Sequence, residues 1–189
     1  MPILRHNTIV SAALLMATAV LDVRAAETKG KPSREYDLKA AFLFNFAQFV
    51  EWPQDAFAEV NSPIVIGVLG DDPFGKTLDE IVANETLRNR KIVVRRCRSV
   101  QEAETCQILF ISRSETSRLD GILESLDGKS VLTVGESDRF PNSGGMISFV
   151  VVQNKLRVKI NVITAKAAKL TISSQLLRQA EIVDAKQGQ

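Results

Sequence analysis

Four short apolar runs, each separated from the next by a polar segment, restrict the fold of this chain more than any other feature. The first, Ile64–Leu69 (IVIGVL), is continuously apolar and rich in β-branched residues, which is typical of a strand buried on both faces. Short helices are predicted between the runs, and this alternation indicates right-handed β-α-β crossovers. The sequence therefore predicts a three-layer α/β fold with a mostly parallel four-stranded sheet and helices on both faces. The remaining predicted strands are Arg90–Arg95, Gln107–Ile111 and Ser130–Val134, and the predicted helices between them are Thr77–Ala83, a short one opened by Ser99, and Thr116–Ser125.

The pattern changes towards the C-terminus. Gly145–Val152 and Lys155–Asn161 are apolar or alternating segments joined at Gln153 and Asn154, and asparagine tolerates the left-handed turn conformation. They predict an antiparallel hairpin that extends the sheet and forms its edge. Two helices are expected after the hairpin, over Val162–Lys169 and from a Ser173 or Ser174 cap to Ala180.

Glu35–Pro53 (EYDLKAAFLFNFAQFVEWP) predicts a long helix that ends at the proline. Its apolar residues cover a broad arc that begins at Leu38 and is interrupted only by Lys39, so the helix is expected to be packed on most sides. Phe44 departs from this pattern and points towards the polar stripe beside Gln48. Either a loop or second layer covers Phe44, or the ring anchors a partner.

The C-terminal segment leaves a similar choice open. Leu170, Ile172 and Leu176 occur at mixed spacing, which favours core packing but also fits a surface for a partner.

The first 25 residues have the features of a cleaved signal peptide. A short basic region containing Arg5 precedes an apolar run that is too short to span a bilayer, and small residues precede a cleavage site after Ala25. We expect residues 26–33 to be a disordered leader, 34–184 to form a single domain and 185–189 to be a disordered tail. The mature protein is therefore expected to be exported to the periplasm, without insertion into the membrane.

Composition excludes several classes of function. His6 is the only histidine and leaves with the signal peptide, so the mature chain cannot build a Ser-His-Asp triad or a histidine-ligated zinc site. The formal net charge of +2 is too small for an electrostatic nucleic-acid binder. The sequence predicts a protein that is not an enzyme and carries no cofactor or metal.

Residues 70–77 (GDDPFGKT) match the phosphate-loop pattern G-x-x-x-x-G-K-[ST] between a strand and a helix. The chemistry rejects a nucleotide site, because Pro73 removes a backbone N–H and two aspartates would repel the anion. What remains is a loop at the carboxyl end of a parallel strand, where ligands of open α/β sheets usually bind. The alternative function is therefore a small-ligand sensor or carrier. Its candidate residues are Asp71, Asp72, Ser112 and Asp138.

Two cysteines, Cys97 and Cys106, form a candidate disulfide. An oxidising compartment favours the bridge. Cys97 ends one predicted strand whereas Cys106 begins the next parallel one, which would place them about 15 Å apart. The sequence leaves these alternatives open.

The chain resembles the YfiR family of periplasmic regulators. The resemblance runs from about Tyr36 to Ile182 and is carried by YDLKAAFLFNFAQFVEWP, the GDDPFG loop, CQILFIS and GGMISFVVVQNKLRVKIN with the later LTISSQLLRQAEIV. It implies a dimer-forming, redox-sensitive protein without catalytic activity. Such a protein binds the periplasmic sensor region of an inner-membrane diguanylate cyclase like YfiN, and so limits cyclic di-GMP output and biofilm formation. The resemblance also makes Phe44 and the C-terminal segment interaction candidates.

The sequence departs from the family at one position. In the family the cysteine that corresponds to Cys106 can pair with a cysteine in the first strand, and this strand has Gly67 and no cysteine. Redox control of the family's kind therefore requires Cys97 to substitute for it.

Overall fold

The computed structural model describes residues 34–183. The predicted signal peptide (1–25), leader (26–33) and tail (185–189) lie outside these residues. The helices are α1 (Arg34–Phe49), α2 (Lys76–Val82), α3 (Val100–Ala103), α4 (Leu119–Ser125), α5 (Val162–Ala167) and α6 (Ser174–Leu177), with 3-10 helices at Gln54–Ala56 and Arg113–Arg118. The strands are β1 (Val50–Glu51), β2 (Ile64–Leu69), β3 (Thr86–Leu87), β4 (Arg90–Cys97), β5 (Ile108–Ile111), β6 (Leu132–Gly135), β7 (Ile147–Val152), β8 (Lys155–Asn161), β9 (Thr171–Ile172) and β10 (Glu181–Val183).

The central sheet has eight strands in the order β10-β8-β7-β6-β5-β2-β4-β3. Strands β4, β2, β5, β6 and β7 run parallel, so the predicted mostly parallel α/β sheet is confirmed and is one parallel strand wider than expected. The predicted antiparallel hairpin is β7–β8, and Gln153 and Asn154 have the expected positive φ angles of 50° and 59°. Its predicted position at the edge is wrong, because β10 pairs in parallel with β8 and lies outside it.

Two apolar cores lie on opposite faces of this sheet, which gives the three layers. On one face α1, α2, α5 and α6 contribute buried residues such as Phe46, Leu78, Ala165 and Leu176. On the other face α3 and α4 pack over a smaller cluster that contains both cysteines. The continuous apolar run of β2 is explained by this arrangement, because its residues face both cores in turn and all six are buried.

Helix α1 is the main element of the larger core. The Phe46 ring stacks on that of Phe149 in β7, with centroids 5.8 Å apart and planes 19° apart. The helix ends at Phe49 rather than at the predicted proline, because the chain turns into β1 and pairs antiparallel with β9. The arc is also shifted from the predicted one, since Leu38 is 52% exposed whereas Lys39 is 1% exposed. None of the helices in residues 34–183 has the length and apolar character needed to cross a bilayer.

Candidate functional site

Two of the residues predicted to form a ligand loop, Asp71 and Asp72, follow β2 at the carboxyl end of the parallel sheet. The backbone N–H of Asp71 donates to Ser114 Oγ at 2.9 Å, and its side chain is exposed. Asp72 accepts hydrogen bonds from the backbone N–H of Phe74 at 2.8 Å and from Arg96 Nε at 2.9 Å. The Asp72 carboxylate therefore holds the loop and the neighbouring strand β4 in place.

The four predicted ligand residues do not converge on one site. Asp138 forms an ion pair with Lys159 on β8, at 3.1 Å, whereas Asp72 reaches towards β4. Strands β4 and β8 are five strand spacings apart in the sheet, or about 24 Å. Ser112 follows β5 between them and is only 8% exposed. A ligand of metabolite size cannot contact all four side chains in this conformation.

A buried ion cluster occupies the carboxyl end of the sheet instead. Lys39 of α1 pairs with Glu35 one turn earlier and with Glu136 after β6, and the Lys39 and Glu136 side chains are both 1% exposed. Arg113 Nε lies 3.6 Å from Glu136, and Tyr36 Oη donates to the same carboxylate at 3.4 Å. Burial raises the pKa of the Tyr36 hydroxyl, and the nearby Glu136 carboxylate raises it further.

The cluster is electrically balanced, with two cations facing two carboxylates. Every buried side-chain nitrogen and oxygen in the described part of the chain has a hydrogen-bond partner, so Lys39 and Glu136 are fully paired within the cluster. Within residues 34–183 no group of three histidine, cysteine, aspartate or glutamate side chains is placed to hold a metal ion. The cluster therefore fastens the start of α1 to the loop after β6.

Neither Lys39 nor Glu136 is among the site residues predicted from the sequence. A signal was present, because a lysine interrupts an otherwise apolar arc and has a glutamate four residues before it on the same face. A charge in that position requires a buried partner. The identity of that partner could not be deduced, since Glu136 is 97 residues away in the chain.

The candidate partner surface lies near the end of α1. Phe44 is half-buried and packs against the larger core, and Gln48, one turn later, is exposed. Arg88 in the β3–β4 turn donates to the backbone carbonyl oxygens of Val50 at 3.3 Å and Gln48 at 3.4 Å. A polar and aromatic surface results from α1 and this turn, and we call these residues (Phe44, Gln48 and Arg88) the α1 surface.

The C-terminal candidates mainly hold this region together. Leu170 and Leu176 are 2% and 5% exposed and belong to the larger core. Ile172 is half-buried on β9 and pairs with Val50 on β1. The side chains of Leu170 and Leu176 are therefore covered in this conformation, and of these three only Ile172 reaches the surface to an appreciable extent.

The two cysteines lie much closer together than strand geometry suggests. Their sulfur atoms are 3.7 Å apart, both thiols are free, and both are buried in the smaller core. The expected 15 Å separation is wrong for the sulfur atoms because the side chains meet above Gly67, which leaves the room that a Cβ atom would fill. The hydrogen bond between the thiols lowers the pKa of Cys97 and raises that of Cys106, so Cys97 ionises first.

A separate cavity of about 550 Å³ opens at the amino-terminal end of the parallel strands. Its lining includes Phe57, Val65, Gln107, Lys129 and Lys169. It therefore lies at the opposite end of the sheet from the predicted ligand loop.

The architecture is that of a three-layer α/β domain with a closed carboxyl end. The chain belongs to the YfiR/HmsC-like family, whose model matches residues 36–181. No curated protein matches the chain. A solved structure with some likeness is the ABC domain in complex with L-Trp from Streptococcus pneumonia, at 14% sequence identity and a TM-score of 0.46 over 63% of this chain. This chain covers 55% of the length of that structure.

The family match narrows the class of function. YfiR-like proteins are periplasmic regulators of diguanylate cyclase signalling rather than enzymes. The match covers nearly all of the described residues.

Proposed function

We propose that the protein is a periplasmic regulator that binds and inhibits the periplasmic sensor region of an inner-membrane signalling protein, a YfiN-like diguanylate cyclase. It thereby limits cyclic di-GMP output and biofilm formation. The observation that carries this proposal is the family match over residues 36–181. The protein acts by occupying its partner's surface, and the family resemblance also implies that it does so as a homodimer.

The α1 surface is the part of the domain that best suits this contact. Phe44 supplies an aromatic ring on a rigid helix, and aromatic residues are common anchors of protein interfaces. Gln48 and Arg88 add polar groups beside it. Ile172 belongs to the adjacent β1–β9 ribbon, whereas Leu170 and Leu176 support this region from the core.

The test compares two exposed positions on opposite faces of the sheet. Gln48→Lys alters the α1 surface without removing a core side chain, and Glu124→Lys on α4 is the control that places a lysine on the opposite face. We expect Gln48→Lys to weaken binding to the purified sensor region at least tenfold and to raise cellular cyclic di-GMP, with Glu124→Lys behaving as wild type. Calorimetry and thermal unfolding would measure binding and folding separately. If folded Gln48→Lys and Phe44→Ala proteins bind and repress normally, the α1 surface is the wrong one.

The cavity of about 550 Å³ supports the alternative of a small-ligand sensor or carrier. Its lining combines the Phe57 ring with charges of both signs, since Lys129 pairs with Glu104 at 3.1 Å and Lys169 with Asp55 at 3.8 Å. Such a lining would suit a small molecule that carries both charges, as an amino acid does. A thermal-shift screen with nucleotides and amino acids tests this function, because a ligand at 100 times its Kd adds about 2.7 kcal/mol to stability. The absence of any shift across the screen would count against a ligand-binding role.

A further inference from the structure

The outer edge of β4 is only partly covered by its neighbouring strand. Along its inner edge β4 pairs with β2 from Ile92 to Cys97. Along its outer edge β3 pairs with Lys91 and Arg90 alone. The greater part of the strand is thus open on its outer side.

The direction of the backbone groups follows from one hydrogen bond. The N–H of Ile92 points to the outer side and donates to the Glu85 carbonyl oxygen at 3.2 Å. Because backbone groups alternate direction along a strand, those of Val94 and Arg96 point to the same outer side. Within residues 34–183 no backbone or side-chain group makes a hydrogen bond to them there. These two residues offer two donors and two acceptors to an additional strand.

The open edge carries positive charge that its surroundings only partly neutralise. Arg96 pairs with Asp72 at 2.9 Å and Asp79 at 2.6 Å on the side of α2. Arg95 donates to Thr105 Oγ1 at 2.6 Å and so is directed towards the loop before β5, away from the outer edge. In the described part of the chain, no carboxylate lies within ion-pair distance of the Lys91 side chain. The same holds for Arg98, which directly follows the strand.

These charges disfavour a second copy of the chain at this edge. Two copies paired antiparallel so that Val94 of each bonds to Arg96 of the other would place the two Arg95 residues directly opposite each other. Like charges on adjacent strands are destabilising, and basic residues on an edge strand are a recognised protection against self-pairing. The same charges attract an acidic strand.

A groove of about 220 Å³ lies beside the open edge. Lys91, Ile92 and Val93 of β4 form one side, and Asn84, Glu85 and Thr86 form the other. The groove has room for an apolar side chain of a strand added at this edge, since pockets beside an edge select alternate side chains.

We propose that the outer edge of β4 binds an extended segment of a partner protein in which acidic residues alternate with apolar ones. The segment adds a ninth strand to the central sheet. Its backbone pairs with Val94 and Arg96, its carboxylates lie on the face that leads to Arg98, and an apolar side chain on its other face enters the groove. This surface is distinct from the α1 surface, and the inference does not depend on the proposed function.

The experiment uses labelled eight-residue peptides with the full mature chain. A peptide that alternates glutamate and valine is the probe, and a lysine–valine peptide of equal length is its control. Two N-methylated forms of the probe carry methyl groups on alternate sets of backbone nitrogens, so only one form retains the N–H groups that face β4 in a given register. Fluorescence anisotropy measures binding, and amide hydrogen exchange reports on Val94 and Arg96.

We expect the glutamate peptide to bind at least tenfold more tightly than the lysine peptide and to slow exchange at Val94 and Arg96. One N-methylated form should bind and the other should not. The Arg98→Glu variant should lose at least tenfold in affinity, whereas Lys155→Glu at the distant hairpin tip should not. Equal binding of both N-methylated forms, no binding of the glutamate peptide, or an unaffected Arg98→Glu variant overturns the proposal. So does a dimer in sedimentation that Val94→Pro dissociates, since the edge would then pair with itself.

Discussion

The meeting of the two cysteines above Gly67 leads to a quantitative prediction for Gly67→Ala. A Cβ atom at this position would lie 2.7 Å from Cys106 Sγ, 3.1 Å from Leu109 Cδ1 and 3.2 Å from Cys97 Sγ. The first distance is shorter than a carbon and a sulfur tolerate, so the smaller core must shift. Overpacking of this kind costs about 1–3 kcal/mol. We therefore expect Gly67→Ala to lower the free energy of unfolding by about 2 kcal/mol.

A double-mutant cycle identifies the cause of this loss. Cys106→Ala removes the colliding sulfur and leaves a small void, which the methyl group introduced by Gly67→Ala partly fills in the double variant. The double variant should therefore be more stable than the sum of the single effects predicts, by about 1 kcal/mol or more. Gly121→Ala on α4 is the matched control, because nothing lies within 4 Å of its Cβ position. It should stabilise the helix by about 0.5–1 kcal/mol.

Urea unfolding under reducing conditions measures the free energies of unfolding of the four proteins in the cycle and of the control, provided that the slope m is unchanged. Two results would refute the packing argument. One is a Gly67→Ala protein within about 0.5 kcal/mol of wild type, a margin typical of neutral surface changes. The other is strict additivity in the cycle.

Three further predictions concern the charged and sulfur groups. Mild oxidation should form a disulfide between Cys97 and Cys106, so that a thiol titration detects no free thiol, and should raise the free energy of unfolding by about 2.5 kcal/mol. A Cys97→Ser protein should not gain this stability. Lys39→Met should lower the free energy of unfolding, measured in urea, by about 3–5 kcal/mol because it leaves the buried Glu136 carboxylate without its lysine partner. Adding Glu136→Gln should recover most of this loss, and no recovery would contradict the pairing. The arginine hydrogen bond lowers the pKa of Asp79, so the stability that it confers is full above the ordinary value of 3.8 and is lost as the pH falls through the lowered pKa. Asp79→Asn should reduce the loss of stability at low pH by less than about 1 kcal/mol, since the pair is partly exposed. If the free energy of unfolding falls equally at low pH in both proteins, Asp79 makes no such contribution.

The long apolar strands could be predicted from the sequence because their residues alone indicate that they are buried on both faces. Ile64–Leu69 and Gln107–Ile111 occur as β2 and β5 with nearly the predicted bounds. Strands β1, β3, β9 and β10 were missed, since two or three residues carry no periodicity and pair only because the folded chain brings them together. The predicted end of α1 at Pro53 was wrong for the same reason, because the chain pairs with β9 as strand β1 before it reaches Pro53.

The site was predicted less well than the fold. The Asp71–Asp72 loop lies at the expected end of the sheet, but the sequence could not reveal that Arg96 engages Asp72. The predicted distance between the cysteines was wrong because it was calculated along the strand axes, whereas the two thiols meet over a glycine of the strand between them. Such side-chain directions depend on packing, which no local pattern encodes.

The larger core around α1 cannot form until most of the chain has been synthesised. Tyr36 and Glu136 are 100 residues apart, and the ring that stacks on Phe46 comes later still. At about 5–20 residues per second, a ribosome takes several seconds to supply the missing half of this core. Until then the phenylalanines of α1 are exposed to water, where chaperones can bind them or the chain can aggregate. That delay leaves the chain unfolded for several seconds before this core can form.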